Sequence, residues 1–167
     1  MNKSMLGIAI VVIVGMGVVY AISPYFTNST LDEALPNSAI PIKMEDTTMM
    51  EDTTMMEDNP IQTYTGTFVG VGDGIHDAQG MARTIPLDDG NSVLRLENFK
   101  ATNGPDLYVY LATDNHASEF VNLGKLKANN GNQNYNIPEN TNLEKYNKVL
   151  IWCKAFGVLF GNADLSP

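Results

Sequence analysis

The sequence predicts an all-β domain, a β-sandwich or small barrel, preceded by one transmembrane helix and a disordered tether. Three observations carry that prediction. A charge-free apolar run occupies residues 5–22, an acidic repeat follows at 44–58, and from residue 61 short runs rich in Thr, Val, Tyr and Leu alternate with Gly, Asn, Asp and Pro. No stretch of that last part shows a helical period, which leaves strands and turns.

The apolar run MLGIAIVVIVGMGVVYAI would give roughly 27 Å of helix, close to the hydrocarbon thickness of a bilayer. Lys3 precedes it and no Lys or Arg follows until Lys43, so the positive-inside rule keeps the N-terminus cytoplasmic and places the rest outside the cell membrane. Ala21-Ile22-Ser23 has the small-x-small form of a signal-peptidase site, but Pro24 follows it directly. The expectation is an uncleaved anchor over residues 1–23. Asn28-Ser29-Thr30 then forms a glycosylation sequon in the stalk.

Residues 24–60 are expected to be an acidic, Met-rich, disordered linker. They hold eight Asp and Glu against Lys43, and their repeat, MEDTTM-MEDTTM-MED, offers no face to bury. The thioethers of Met49, Met50, Met55 and Met56, beside carboxylates, form a candidate copper(I) site, and tandem repetition of a low-complexity block makes the same pattern without a metal. The formal charge of −9 and the lack of a basic stripe give nucleic-acid binding no electrostatic support.

Residues 61–167 are expected to form the folded domain, with strands near 62–69, 81–86, 92–96, 106–112, 132–137, 148–153 and 157–160. Asp88-Asp89-Gly90-Asn91 is hairpin chemistry, since these residues tolerate positive φ. In Leu107-Tyr108-Val109-Tyr110-Leu111 the period of two puts Leu107, Val109 and Leu111 on a core face and the tyrosines on the other. In Lys148-Val149-Leu150-Ile151-Trp152-Cys153 it puts Val149, Ile151 and Cys153 together, so Cys153 points inward. As the single cysteine it excludes an internal disulfide. It is either a small buried hydrophobe or a redox thiol and soft ligand for haem iron or copper.

These motifs carry a resemblance to a known family. Gly66, Phe68, His76 and Gly80, then Leu94, Leu96 and Phe99, then Gly104-Pro105-Asp106-Leu107-Tyr108-Val109-Tyr110-Leu111 resemble the electron-transfer DM-thirteen domain. The likeness continues through Leu123-Gly124-Lys125-Leu126, Tyr135-Asn136-Ile137-Pro138 and Val149-Leu150-Ile151-Trp152-Cys153-Lys154 to Phe160-Gly161. It implies an extracytoplasmic all-β module for electron transfer or thiol redox chemistry, with Cys153 as a naked thiol or prosthetic-group ligand and a separate redox or surface protein as partner. Whether haem, copper or no cofactor binds stays open. His76 fits the family pattern and is a candidate second ligand, while His116 is not placed by it. The residues taken alone also allow a non-redox interaction module in which Cys153 only packs, or a copper-binding surface protein. A conventional hydrolase is disfavoured, because no nucleophile, base and orienting acid share a local signature.

Overall fold

The computed structural model describes residues 7–8, 10–16, 27–37, 39 and 62–167. The methionine repeat, the signal-peptidase motif and both ends of the apolar run lie outside the described residues. Residues 7, 8 and 10–16 are helical and exposed. Among the described residues no helix is long and apolar enough to cross a membrane.

Nine strands follow in chain order: β1 (Thr30–Asp32), β2 (Thr65–Gly70), β3 (Ala78–Pro86), β4 (Ser92–Ala101), β5 (Leu107–Ala112), β6 (Phe120–Lys125), β7 (Asn130–Ile137), β8 (Lys148–Cys153) and β9 (Val158–Asp164). They form one sheet in the order β1-β7-β4-β3-β2-β9-β8-β5-β6. β2 makes the sheet curl. Its Thr65, Gly66 and Thr67 pair with β3, whereas Phe68, Val69 and Gly70 pair with β9. The result is a curled half-barrel, a single continuous sheet in place of a sandwich of two separate ones.

Alternating side chains from the two limbs meet inside the curl. Leu94, Leu96 and Phe99 of β4 join Leu107, Val109 and Leu111 of β5, and Val149, Ile151 and Cys153 of β8, in one cluster. The period-two reading of β5 and β8 therefore holds on both faces, because Tyr110 and Leu150 pack with Tyr108 and Trp152 in a second, smaller cluster outside the curl. Leu87–Asn91 closes as expected, with Gly90 at φ 83° and the Leu87 N–H donating to the Asn91 carbonyl at 2.8 Å.

β3 and β4 run longer than their sequence suggests, because each passes through a bulge. β3 bulges at Gly80, where φ is 112° and a Cβ would lie 2.7 Å from the Glu97 carbonyl oxygen, so glycine is required by both strain and space. β4 bulges opposite, where Asn98 has φ 48°. β6 was not expected at all. It is an edge strand with little buried surface, and Asn122 and Gly124 break its apolar alternation.

The larger departure is β1. Residues 27–37 fall in the segment expected to be a disordered linker, yet they dock along the domain. β1 runs parallel to β7, pairing Thr30, Leu31 and Asp32 with Asn130, Gly131 and Asn132. Gly131 has φ 104°, and a Cβ there would collide with the Leu31 carbonyl. The Asn28 side chain of the sequon accepts hydrogen bonds from the Asn129 and Asn103 side-chain amides, at 2.9 and 3.2 Å. Beyond the strand, buried Arg95 donates from Nη1 to the Glu33 and Ala34 carbonyls, at 3.0 and 3.3 Å, and from Nε to Glu97 at 2.9 Å. The Glu33 carboxylate takes Lys127 Nζ at 2.9 Å and the Asn134 N–H at 2.7 Å.

This docking carries a pH signature. Burial pushes the Glu33 carboxyl up, but the Asn134 N–H, Lys127 and Arg95 outweigh it and hold the group below its ordinary 4.5. The docked state thus binds fewer protons than the released one. Its advantage is complete above pH 4.5 and is lost as pH falls through the depressed value. Hydrogen exchange of residues 27–37 should accelerate in that acid range, before exchange of β4 and β8 does.

Candidate functional site

Cys153 ends β8 with its side chain in the core, 1% exposed and free. In register it sits opposite Leu107 on β5 and Val158 on β9. Its carbonyl accepts the Gly157 N–H at 2.9 Å, closing a tight loop, and the Lys154 N–H donates to the Asp106 carbonyl at 2.9 Å. The thiol is thus held at one end of the half-barrel, next to the β4–β5 loop.

A pocket of about 210 Å³ opens at that same end. Gly104, Pro105, Asp106 and Leu107 form one wall, Lys125 to Asn129 a second, and Thr27 and Ser29 of the docked N-terminal segment the third. Leu107, 7% exposed, lines this pocket and is the cross-strand partner of Cys153. Leu107 thus borders the recess on one side and the strand position of Cys153 on the other.

Buried polar groups set the second wall. Gln133, wholly enclosed, donates from Nε2 to the Ala128 carbonyl at 2.8 Å and accepts the Ala128 N–H at 3.1 Å. The Tyr135 hydroxyl donates to Gln133 Oε1 at 2.8 Å and accepts the Lys127 N–H at 3.0 Å. Burial pushes the Tyr135 phenol up, so it stays protonated and keeps donating. Each polar atom of this network has a partner, which fixes the Lys127-Ala128-Asn129 turn against the pocket.

Outside the curl, Tyr108 lies under two cations, with Lys154 Nζ 5.3 Å and Lys125 Nζ 5.9 Å from its ring centroid. Lys125 also reaches Asp106 at 3.4 Å on the pocket rim. Tyr108 stands opposite Trp152, and Tyr110 stacks on Phe120 at 4.2 Å, so the pair of tyrosines is cross-strand packing.

The two histidines part company. His76 lies at the Cys153 end, its ring 4.5 Å from Phe160, and its Nδ1 is 2.6 Å from Asp73 Oδ2. Asp73 also accepts the His76 and Ile75 N–H groups, and the His76 N–H, then the imidazole, pull its carboxyl down to about 2. Phe160 in turn approaches the pocket wall, since a Cβ on Gly104 would lie 2.9 Å from its Cζ. His116 sits in the loop between β5 and β6 at the opposite end, with its N–H on Asp114. Met49, Met50, Met55 and Met56 lie outside the described residues. The sequence pointed to Cys153 and His76. Thr27, Ser29, Lys127 and Asn129 became visible through the fold, because their relation to the site depends on β1 docking.

These motifs belong to a recognised domain. A family model described as Electron transfer DM13 matches residues 68–165. The chain belongs to the electron transfer DM13 family. Comparisons with curated proteins and with solved structures gave no match. The DM13 match begins within β2 and ends just past β9, so it contains Cys153, His76, Leu107 and two walls of the pocket. The third wall, Thr27 and Ser29, lies outside the DM13 match.

A haem does not fit the DM13 pocket here, because about 210 Å³ is below the roughly 300–1,000 Å³ of small-molecule and cofactor sites. Among the described residues no three or more His, Cys, Asp and Glu gather to hold a metal ion.

Proposed function

We propose that the chain is a membrane-anchored, extracytoplasmic electron-transfer module in which Cys153 exchanges one electron with a separate partner protein across the Leu107 pocket. The observation that carries this reading is the double placement of Leu107, which lines the pocket and pairs with Cys153. Membership of an electron-transfer family supplies the class of chemistry.

Burial selects the form of the step. A thiol and a thiyl radical are both neutral, so exchange between them adds no charge to this apolar cluster. In the forward direction Cys153 gives one electron to an oxidised one-electron metal centre on the partner. Its proton passes to solvent that reaches the sulfur during local opening at Leu107, leaving a neutral thiyl. The partner is reduced by one electron, and the reverse step restores the S–H bond. Between openings the closed cluster keeps water from the sulfur and guards the radical from further oxidation. Lys125 and Asp106 on the rim offer a partner one charge of each sign.

Titration of the full chain with ferricyanide, a one-electron acceptor, tests the assignment. Wild type should pass one equivalent and Cys153→Ala none, while both retain the same circular dichroism. Equal consumption by the two would demote Cys153 to packing. That result would favour the second reading, an interaction module, to which the enclosure of the thiol also lends support.

A further inference from the structure

The two ends of the half-barrel differ in kind. Antiparallel pairing gathers the loops 71–77, 102–106, 126–129 and 154–157 at the Cys153 end, where backbone hydrogen bonds tie them together. The Ala101 N–H donates to the Asn129 carbonyl, Thr102 to Asp77, Leu126 to Leu107 and Lys154 to Asp106. From this rim Ile75 and Phe156, each 71% exposed, project into solvent as the most exposed large apolar side chains of the domain. Lys125 and Lys154 lie over the Tyr108 ring at this end and Lys100 pairs with Asn130 at the same level, while Asp73, Asp77 and Asp106 are the acidic residues of these loops. The loops at the opposite end carry Asp88, Asp89, Asp114, Glu119, Glu139 and Glu144 against Lys145.

The chain enters at the apolar rim. Thr27 lines the pocket there, Ser29 is bound to Asn129 by its N–H at 2.6 Å, and the apolar run ends at Ile22. Four residues lie between Ile22 and Thr27, and the five steps, at no more than ~3.6 Å each, reach about 18 Å.

We infer that the Cys153 end of the domain rests on the bilayer, with Ile75 and Phe156 entering the interface and Lys125, Lys154 and Lys100 meeting anionic head groups, while the acidic end points away. The inference rests on the reading of residues 5–22 as a membrane anchor. Charge orients the domain, because the acidic end is repelled by the surface that the lysines attract. Exposed aromatic and branched side chains on loop tips beside lysines are suited to the head-group layer, where an apolar body and a cationic rim are both satisfied. The consequence for the site is that the Leu107 pocket opens at the membrane surface, so the electron partner is one that reaches that surface.

The test uses the full chain in nanodiscs containing phosphatidylglycerol and a lipid with a nitroxide on its head group. A fluorophore is placed at Phe156→Cys or at His116→Cys, each in a Cys153→Ala background. Quenching at position 156 should exceed that at 116 severalfold, and Lys125→Glu with Lys154→Glu should reduce it. Equal quenching at both positions in chains retained by the nanodiscs overturns the docking alone. Failure of the chain to remain with the nanodiscs on gel filtration overturns the anchor reading, and the docking with it.

Discussion

Replacing Arg95 with alanine is expected to release residues 27–37 from the domain and to lower its stability by about 3–5 kcal/mol, the usual cost of breaking a buried charged network by removing one partner. The guanidinium is 7% exposed and holds the Glu33 and Ala34 carbonyls, Asn134 Oδ1 and Glu97 at once. Among the described residues no other cationic side chain joins the N-terminal segment to both β4 and β7 in this way. Without it the carbonyls of residues 33 and 34 lose their cationic donor, and Glu97 is left with Arg83 at 3.1 Å, whose own buried Nε has no partner. Gly131→Val should release the same segment by a different cause, a Cβ driven into the Leu31 carbonyl at positive φ, without touching the charges. Limited proteolysis between residues 27 and 37, and thermal melts of both variants, check this. Cleavage there should rise in each, with the larger fall in melting temperature for Arg95→Ala.

Leu107→Ala is expected to open the pocket onto Cys153. Truncation of this core leucine should cost about 2–5 kcal/mol. Its more telling effect is on access. In the wild type an alkylating reagent reaches the thiol only through local opening, whereas the alanine variant should react at least about tenfold faster under native conditions, which corresponds to removing ~1.4 kcal/mol from the cost of opening. Val109→Ala, equally buried on the same face of β5 but remote from the pocket lining, is the control. It should lose comparable stability with little gain in reactivity. A similar gain in both variants would mean that global loosening, and not a route through position 107, exposes the sulfur.

What the sequence made legible follows from which interactions are local. The period of two in 107–111 and 148–153 is set by alternation along a strand, so the inward placement of Cys153 and both strand faces could be read directly, and β8 has the bounds expected of it. β1 could not be read, because its stability comes from residues about 60 to 100 positions away, Arg95, Lys127 and Asn134, and its own sequence is short and mixed. β6 has the same difficulty at the other edge of the sheet, with little of it buried. Of the candidate site, Cys153 and His76 stood out as chemically distinctive residues. The pocket did not, since it is made where three loops and a docked segment meet, and Leu107 reads in the sequence as one more core leucine. The curl of the sheet was equally hidden, because it depends on β2 changing partner between Thr67 and Phe68.

If Cys153 is the exchange site and the proton leaves with the electron, the reduction potential must depend on pH. Voltammetry of the full chain on a lipid-coated electrode measures this directly. The wild type should give a one-electron wave whose midpoint falls by about 59 mV per pH unit, and Cys153→Ala should give none. A wave that persists in Cys153→Ala, or the absence of any wave in the wild type, would contradict the assignment of electron exchange to this sulfur.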